Sequence, residues 1–144
     1  MMVIWVGLIV LFFDQLSKYI ISFFLGQGQS VLLIPHFLYL TYTKNSGISF
    51  GLFKDKIPFP FYLGLSFLAM VMLIILLRRA KRNWPIRLAT GLIAGGIFGN
   101  LLDRARLGAV IDFLDFRVWP IFNLADSAIT IGIVILLICE IKKQ

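Results

Sequence analysis

The sequence predicts an all-α membrane protein with four transmembrane helices and a small extracytoplasmic β element after the first helix. Hydrophobic residues make up 60% of the 144 positions and charged residues only 15%, and the mean hydropathy is +0.94. Such values are typical of multi-span membrane proteins and not of soluble domains. Four apolar segments are each close to the ~20 residues that cross a ~30 Å hydrocarbon layer. They fall at about 2–25, 59–77, 86–104 and 120–138, so that residues 1–144 are predicted to form one integral membrane domain.

The distribution of basic residues predicts the orientation of these spans. Four spans place both termini on the same side of the membrane. A dense basic segment, 78–87, lies between the second and third spans, and Lys142 and Lys143 lie at the C-terminus. Short basic loops face the cytoplasm, which predicts that both termini are cytoplasmic. The first span has no basic n-region and no A-x-A cleavage site, so it is expected to be retained.

The connection after the first span is too long for a simple turn. Residues 38–43 within it are rich in β-branched and aromatic side chains, which favour a strand. The segment from about 28 to 58 is therefore predicted to hold the β element on the outer membrane surface. Asn45 and Gly47 favour a turn at the end of this element.

The composition also argues against several other classes of function. The net charge of +7 comes from basic residues beside apolar segments, as membrane topology requires, and so does not indicate a nucleic-acid partner. The only cysteine, Cys139, excludes disulfides and paired-cysteine metal sites. The only histidine, His36, has no acid close in sequence for a serine protease triad. Neither a metal nor a cofactor is predicted.

Two aspartates, Asp112 and Asp126, lie beside apolar sequence that is long enough to be embedded in lipid. Ionisable groups in such places are functional candidates by default. Asp112 belongs to the connection between the third and fourth spans, and the fourth helix is predicted to open with Pro120, followed by Asn123 and Asp126. Both acids therefore belong to the outer end of the bundle, where a turn, and not one helix face, would bring them together.

A close pair of aspartates has a specific chemical use. Two neighbouring carboxyls cannot both ionise easily, so they share one proton. The ionised member can deprotonate a water that attacks a peptide carbonyl, while the protonated member donates to the carbonyl oxygen. The helix dipole favours charge on Asp126 and the apolar stretch favours neutral Asp112, which leaves open which acid holds the proton. Spacing alone equally allows Asp112 to cap a loop and Asp126 to bind amides.

Further polar residues and glycines mark the first and third spans. Asp14 and Lys18 are four residues apart on one helix face, in the favourable order for an ion pair that fixes helix packing. The third span carries glycines at every fourth position, which lets another backbone approach closely. The same helix ends with Asn100 and Arg104 on one face and Asp103 beside them, and such a polar cluster has a cost unless it is paired or useful. The glycines are Gly91, Gly95 and Gly99.

Two other classes of membrane protein use the same features. A small transporter or proton pathway also needs intramembrane carboxylates, but these would be spread through the membrane depth, whereas all except Asp14 lie near the predicted span ends. An assembly or chaperone subunit would use the glycines as an interface and would tolerate the loss of both Asp112 and Asp126.

An ordered series of motifs over nearly the whole chain resembles lipoprotein signal peptidase, or signal peptidase II, a family of four-span aspartyl endopeptidases of bacterial membranes. One departure is Ile48-Ser49, where the family usually has small residues such as Ala-Ala. The motifs are FDQLSK at 13–18, NSGISF at 45–50, GGIFGNLLDR at 95–104, GAVIDF at 108–113 and FNLADSA at 122–128.

The resemblance implies specific roles and a specific substrate. It implies that Asp112 and Asp126 form a catalytic dyad that needs no metal or cofactor. The expected substrate is a prolipoprotein, cut just before a cysteine that carries diacylglycerol, and the expected location is the bacterial cytoplasmic membrane, with the active site at its extracytoplasmic face. The enzyme is expected to be a monomer in contact with membrane lipids. The resemblance further implies that Asn45, Gly47, Asn100, Arg104 and Asn123 bind substrate or support the active site, and that Asp14, Lys18 and Asp103 have a structural role.

Overall fold

A computed structural model describes residues 1–46 and 83–142, together with the isolated positions 68, 71, 72, 75 and 78. Three long helices and a three-stranded sheet make up this part of the chain. The elements are α1 (Met2–Phe24), β1 (Ser30–Ile34), β2 (Leu38–Asn45), α2 (Trp84–Leu107), β3 (Val110–Asp115) and α3 (Leu124–Ile141).

All three of these helices are long and apolar enough to cross a membrane. At 1.5 Å per residue, the 23 residues of α1 extend about 35 Å, enough to cover a hydrocarbon layer of ~30 Å. Large apolar side chains such as Phe12, Phe23 and Leu137 are more than half exposed. Exposed apolar surface on a helix of this length is what lipid contact requires, because hydrocarbon tails take the place of a protein core.

Glycines on α2 allow α1 and α3 to pack closely against it. A Cβ atom added at Gly95 would lie 2.6 Å from the Gly7 carbonyl oxygen of α1, and one added at Gly91 would lie 2.7 Å from Val6 Cβ. On the other side, Gly96 faces Ala125 of α3. The glycine positions predicted to allow close helix approach therefore do so, because any side chain there would force the backbones apart.

The contact positions also give the relative directions of the helices. Val6 of α1 lies beside Gly91 of α2, and Asp14, further along α1, lies beside Gly99, further along α2. The two helices are therefore parallel. Gly96 contacts Ala125, whereas Gly132 contacts Ala89, so α3 is antiparallel to both. The C-terminal ends of α1 and α2 therefore meet the N-terminal end of α3.

The sheet has the order β1-β2-β3 with both pairs antiparallel. Its inner face carries Tyr42, Ile111 and Phe113, which pack against Ile21 near the C-terminal end of α1. In the β2–β3 pair, Asp112 lies opposite Thr43. The sheet therefore covers the end of the helix bundle where α3 begins.

The third strand, which the sequence did not predict, joins the small β element expected after the first helix. Asp112 lies in the connection between the third and fourth predicted spans, as expected, but there it is in the middle of β3, whose partner β2 precedes it by about seventy residues. Only tertiary pairing across the bundle makes this segment a strand, so local periodicity does not reveal it. Within the predicted segment 28–58, the strands occupy 30–34 and 38–45, and residues 47–58 lie outside the described part of the chain.

The helix boundaries need smaller corrections. The fourth predicted span, 120–138, becomes a helix only at Leu124, because the Phe122 carbonyl accepts hydrogen bonds from Phe113 N and Leu114 N and holds the chain against the sheet. The third predicted span, 86–104, is longer at both ends. The second predicted span, 59–77, lies mostly outside the described residues. Within and beside it, the helical positions are Leu68, Val71, Met72, Ile75 and Arg78.

Replacing Gly95 with alanine tests the close contact between α1 and α2. The new Cβ would meet the Gly7 carbonyl and Val10 Cβ at 2.6 and 2.7 Å, so we expect the free energy of unfolding to fall by about 1–3 kcal/mol through overpacking. Thermal unfolding in detergent or lipid measures the loss. The matched control is Gly7→Ala, whose Cβ would lie 3.5 Å from its nearest neighbour. Equal unfolding temperatures for the two variants would contradict the packing described here.

Candidate active site

Asp112 and Asp126 converge on the side chain of Asn123. Asn123 Nδ2 donates a hydrogen bond of 2.7 Å to Asp112 Oδ1. Its Oδ1 accepts one of 2.9 Å from the backbone N of Asp126, which makes Asn123 the N-cap of α3. One buried amide thus links the middle of β3 to the first turn of α3, and it brings the two acids to the same end of the bundle.

The surroundings of Asp112 favour its protonated form. Its side chain is buried, and Asn45 Nδ2 donates a hydrogen bond of 3.0 Å to Oδ2. Burial raises the pKa of Asp112 from 3.8 to about 6, the nearby charge of Asp126 acts in the same direction, and the amide donors of Asn45 and Asn123 oppose it. The carboxyl therefore holds a proton at pH values where an ordinary aspartate is ionised.

Asp126 lies between a fixed donor and an open cleft. Asn100 Nδ2 of α2 donates a hydrogen bond of 2.8 Å to Asp126 Oδ1, and the N-terminal end of α3 adds its positive dipole. On the other side, Asp126 lines a cleft of about 370 Å³. The remaining residues of this cleft are mostly apolar and are Trp119, Phe122, Ser127, Thr130 and Ile131.

A buried ionic cluster lies directly behind this site. Lys18 Nζ is 2.8 Å from Asp14 Oδ2 and 2.8 Å from Asp103 Oδ2, and it donates a hydrogen bond of 3.0 Å to Asn100 Oδ1. Lys18 is only 2% exposed and Asp14 is fully buried. Buried charges are costly unless they are paired and hydrogen-bonded, and this arrangement satisfies both conditions.

The two acids of the cluster also hold the start of α3 and the strand β3. Asp14 Oδ1 accepts a hydrogen bond of 2.9 Å from Ala125 N, and Asp103 Oδ2 accepts one of 3.1 Å from Ile111 N. Ala125 precedes Asp126, and Ile111 precedes Asp112. The ion cluster thus fixes the backbone immediately before each of the two candidate catalytic acids.

Two polar residues of this region were not singled out from the sequence. Gln15 Nε2 donates to Asp103 Oδ1 at 2.9 Å and also bonds to Asp14 and the Gly99 carbonyl. Asp115 is buried in β3 and accepts hydrogen bonds from Thr41 Oγ1 and from the backbone N of Arg117. The available signals were the position of Gln15 between Asp14 and Lys18 and the presence of a further acid three residues after Asp112.

Other predicted positions are less involved in the contacts of the site. Arg104 lies in the last turn of α2 and is partly exposed, and within residues 1–46 and 83–142 its guanidinium has no hydrogen-bond or ion-pair partner. His36 is exposed in the turn between β1 and β2. Gly47, like Ile48 and Ser49, lies outside the described residues.

Comparison with known proteins identifies the family. The model of the family described as "Signal peptidase (SPase) II" matches residues 6–142. The chain belongs to the signal peptidase II family. Lipoprotein signal peptidase of Moorella thermoacetica is 43% identical over 131 residues, covering 90% of this chain and 86% of that protein. The protein of the same name from Halothermothrix orenii is 40% identical over 137 residues, covering 95% and 93%.

Solved structures of bacterial membrane enzymes have the same fold as this signal peptidase II family member. One, determined in meso at 2.3 Å, has a TM-score of 0.88 and 34% identity, covering 97% of this chain and 87% of its own. Another, at 1.9 Å, has a TM-score of 0.83 and 34% identity, covering 99% and 94%. The chain is therefore a membrane protease of the signal peptidase II type, and the transporter and assembly-subunit interpretations are wrong.

The raised pKa of Asp112 predicts a pH-dependent stability. Because the folded protein binds this proton more tightly than the unfolded chain, the stabilisation is fully present below pH 3.8 and is lost as the pH rises through about 6. Infrared difference spectra should show a protonated carboxyl band that disappears with a midpoint near pH 6. This band should be absent from Asp112→Asn. A band that persists in Asp112→Asn would belong to another carboxyl, and a midpoint near pH 4 would show that Asp112 is an ordinary carboxylate; either result would contradict the prediction.

Proposed function

We propose that this chain is a membrane aspartyl endopeptidase that removes the signal peptide from prolipoproteins, cleaving just before the diacylglyceryl-modified cysteine. Asp112 and Asp126 are its catalytic pair. The observation that carries this proposal is the Asn123 side chain, which contacts Asp112 at 2.7 Å and the backbone of Asp126 at 2.9 Å. Family membership supports the substrate class, because the relatives are named lipoprotein signal peptidases.

The two acids divide the chemical work by their surroundings. Asp112, whose pKa burial raises to about 6, is assigned the shared proton and acts first as the general acid. Asp126, beside the Asn100 donor and the positive end of α3, acts as the base. It takes a proton from a water whose oxygen attacks the scissile carbonyl carbon, while Asp112 donates its proton to the carbonyl oxygen. When the carbon–nitrogen bond breaks, the leaving nitrogen takes a proton from Asp126, and one hydroxyl of the tetrahedral intermediate returns a proton to Asp112 as the carbonyl reforms.

The cleft beside Asp126 supports a lipid-modified substrate. Its lining is mostly apolar, and it includes Ile131, which is 53% exposed on the outer surface of α3. A cysteine that carries diacylglycerol keeps the scissile bond near the membrane boundary, where the acyl chains can enter an apolar cleft directly from the lipid. Asp126 lies in the first turn of α3, at one end of a helix long enough to cross the membrane, which supports cleavage near the membrane boundary.

The chain path supports four spans. Asn45 contacts Asp112 at the active-site end, whereas α2 begins at Trp84 at the opposite end, so the chain between them has to pass from one end to the other. The helical positions at 68, 71, 72, 75 and 78 fall on this path. With four spans, the basic segment 78–87 places both termini in the cytoplasm and the active site at the extracytoplasmic face of the bacterial membrane. We also propose that the chain forms one domain and acts as a monomer.

The supporting residues receive roles that fit their contacts. Asn45, Asn100 and Asn123 hold the carboxyls with amide N–H groups. Arg104 is assigned to a substrate backbone carbonyl or to a headgroup oxygen, because a guanidinium makes charge-assisted hydrogen bonds with such oxygens. Gly47 is assigned to the same site on the family resemblance alone.

Replacing either acid by its amide tests the catalytic pair. Asp112→Asn and Asp126→Asn should each lower the rate of cleavage of a diacylglyceryl-modified prolipoprotein by at least about 1,000-fold, because neither pair can then supply both an acid and a base. The unfolding temperature should stay near the wild-type value, since Asp126→Asn removes a partly buried charge and Asp112→Asn replaces a protonated carboxyl with an uncharged amide of the same size.

The matched control for these two variants is Asp115→Asn, which alters an equally buried acid of the same strand. Asp115→Asn weakens the hydrogen bond between residue 115 and Thr41. This variant should therefore have a lower unfolding temperature, but its turnover should stay within about five-fold of wild type. Full activity in folded Asp112→Asn or Asp126→Asn would end the proposal.

Replacing Arg104 with alanine tests substrate binding. Loss of a charge-assisted hydrogen bond should raise KM by about ten-fold or more, while unfolding is unchanged because the guanidinium has no partner within the described chain. The control is Arg106→Ala, which removes the same charge from the same last turn of α2. If both variants have wild-type KM and kcat, or if KM rises equally in both, Arg104 has no specific role in binding.

A further inference from the structure

The buried ammonium of Lys18 has all of its donors engaged. Its three N–H groups have three acceptors, namely Asp14 Oδ2 and Asp103 Oδ2 at 2.8 Å and Asn100 Oδ1 at 3.0 Å. An ammonium group has no acceptor capacity. The atom of Asn100 that faces Lys18 must therefore be the amide oxygen, and the amide nitrogen must point the other way.

The other end of the Asn100 amide faces a candidate catalytic carboxyl. Asn100 Nδ2 donates to Asp126 Oδ1 at 2.8 Å. If the amide turned over, its oxygen would lie against the Asp126 carboxylate, and only a protonated Asp126 would tolerate that contact. The direction of this one amide thus decides whether the site stabilises an ionised base or a neutral acid.

Asn123 is the second neighbour of Asn100 Oδ1, and it holds the Asn100 amide less firmly than Lys18 does. Asn123 Nδ2 also lies 3.2 Å from Asn100 Oδ1, but it lies 3.2 Å from the Ile111 carbonyl and 2.7 Å from Asp112 Oδ1 as well. An amide nitrogen has two hydrogens for these three acceptors. Lys18 makes the shorter, charge-assisted bond, so it determines the orientation.

We propose that Lys18 is a positioning residue that acts through Asn100, fixing the direction of its amide so that Asp126 always faces an N–H donor and remains the ionised base. This inference rests on the proposed function and adds to it a residue that contacts neither the substrate nor Asp126 in the hydrogen-bond network. The role differs from a purely structural ion pair, which would affect stability alone.

Within the described part of the chain, charged groups from α1, α2, β3 and α3 face Lys18 and the Asn100 and Asn123 amides. Asp14 of α1 and Asp103 of α2 face Lys18. Asp112 of β3 and Asp126 of α3 face the amides. A test that removes Lys18 alone would leave Asp14 and Asp103 buried without their cation, and the protein would then be at risk of unfolding.

A charge-matched comparison limits this problem to Asp14, which keeps its hydrogen bonds from Ala125 N and Gln15 Nε2. Lys18→Met combined with Asp103→Asn removes one buried charge of each sign, and Asp103→Asn alone is its reference. Adding Lys18→Met should lower kcat by about 100-fold, as expected for the loss of a correctly aimed donor. KM should change less than about two-fold, and the acidic limb of the kcat–pH profile should move to higher pH.

The same step is then repeated with Asn100→Leu added to both members, so that Asp103→Asn combined with Asn100→Leu is the reference. If Lys18 acts through Asn100, adding Lys18→Met there should change kcat by less than about three-fold, because the amide it orients is gone. Asn100→Leu alone leaves Lys18 paired with Asp14 and Asp103, and it should itself lower kcat by about 100-fold. Wild-type kcat in Asn100→Leu, or an equal loss on adding Lys18→Met in both backgrounds, would overturn the proposal.

Gln15→Leu is the control for simple loosening of the cluster. Gln15 bonds to Asp14, Asp103 and the Gly99 carbonyl, and none of its hydrogen bonds is to Asn100. Gln15→Leu should lower the unfolding temperature and leave the kcat–pH profile unchanged. If its acidic limb shifts as well, loosening of the cluster alone changes the profile, and this would contradict a specific role of Lys18 through Asn100. Failure of this inference is distinct from failure of the proposed function, since the latter requires activity in Asp112→Asn or Asp126→Asn.

Discussion

The pairing of one buried lysine with two buried aspartates is the constraint on which the rest of the site depends. Lys18 lies between Asp14 of α1 and Asp103 of α2, and those acids in turn accept the backbone N–H groups of Ala125 and Ile111. Charges inside a membrane protein persist only when they are paired. Here the pairing fixes two helices, one strand and the start of a third helix relative to one another, and it does so directly behind the two candidate catalytic acids.

Small residues make this arrangement possible. Any side chain at Gly99 would collide with Asp14 Oδ2, just as one at Gly95 would collide with the Gly7 carbonyl. The close approach of α1 and α2 therefore allows the ion cluster to form inside a bundle whose outer surface is apolar. Lipid contributes no hydrophobic drive to helix association, so close packing and internal polar contacts have to hold the helices together. In this protein, the contacts that stabilise the bundle are also the contacts that orient the acids.

Sequence reasoning predicted the parts of this protein that depend on local pattern. The spans at 2–25, 86–104 and 120–138 correspond to helices because hydrophobic length is a local property, and the ordered motifs identified the family. Strand β3 was missed because its partner is β2, about seventy residues earlier, and no periodicity in 110–115 indicates that pairing. Asn123 was placed inside the fourth helix, whereas its bonds to Asp112 and Asp126 put it at the N-cap. The direction of the Asn100 amide could not be predicted at all, since it follows from a contact with a lysine 82 positions away.

The central claim is that Asp112 and Asp126 act on one peptide bond together. The most direct test is a high-resolution structure of the protein with a lipobox peptide in which a hydroxyethylene group replaces the scissile amide. The account predicts that the hydroxyl oxygen lies within about 3.2 Å of one carboxyl oxygen from each acid. A hydroxyl group bound away from both acids, or carboxyls too far apart to contact it together, would contradict the account.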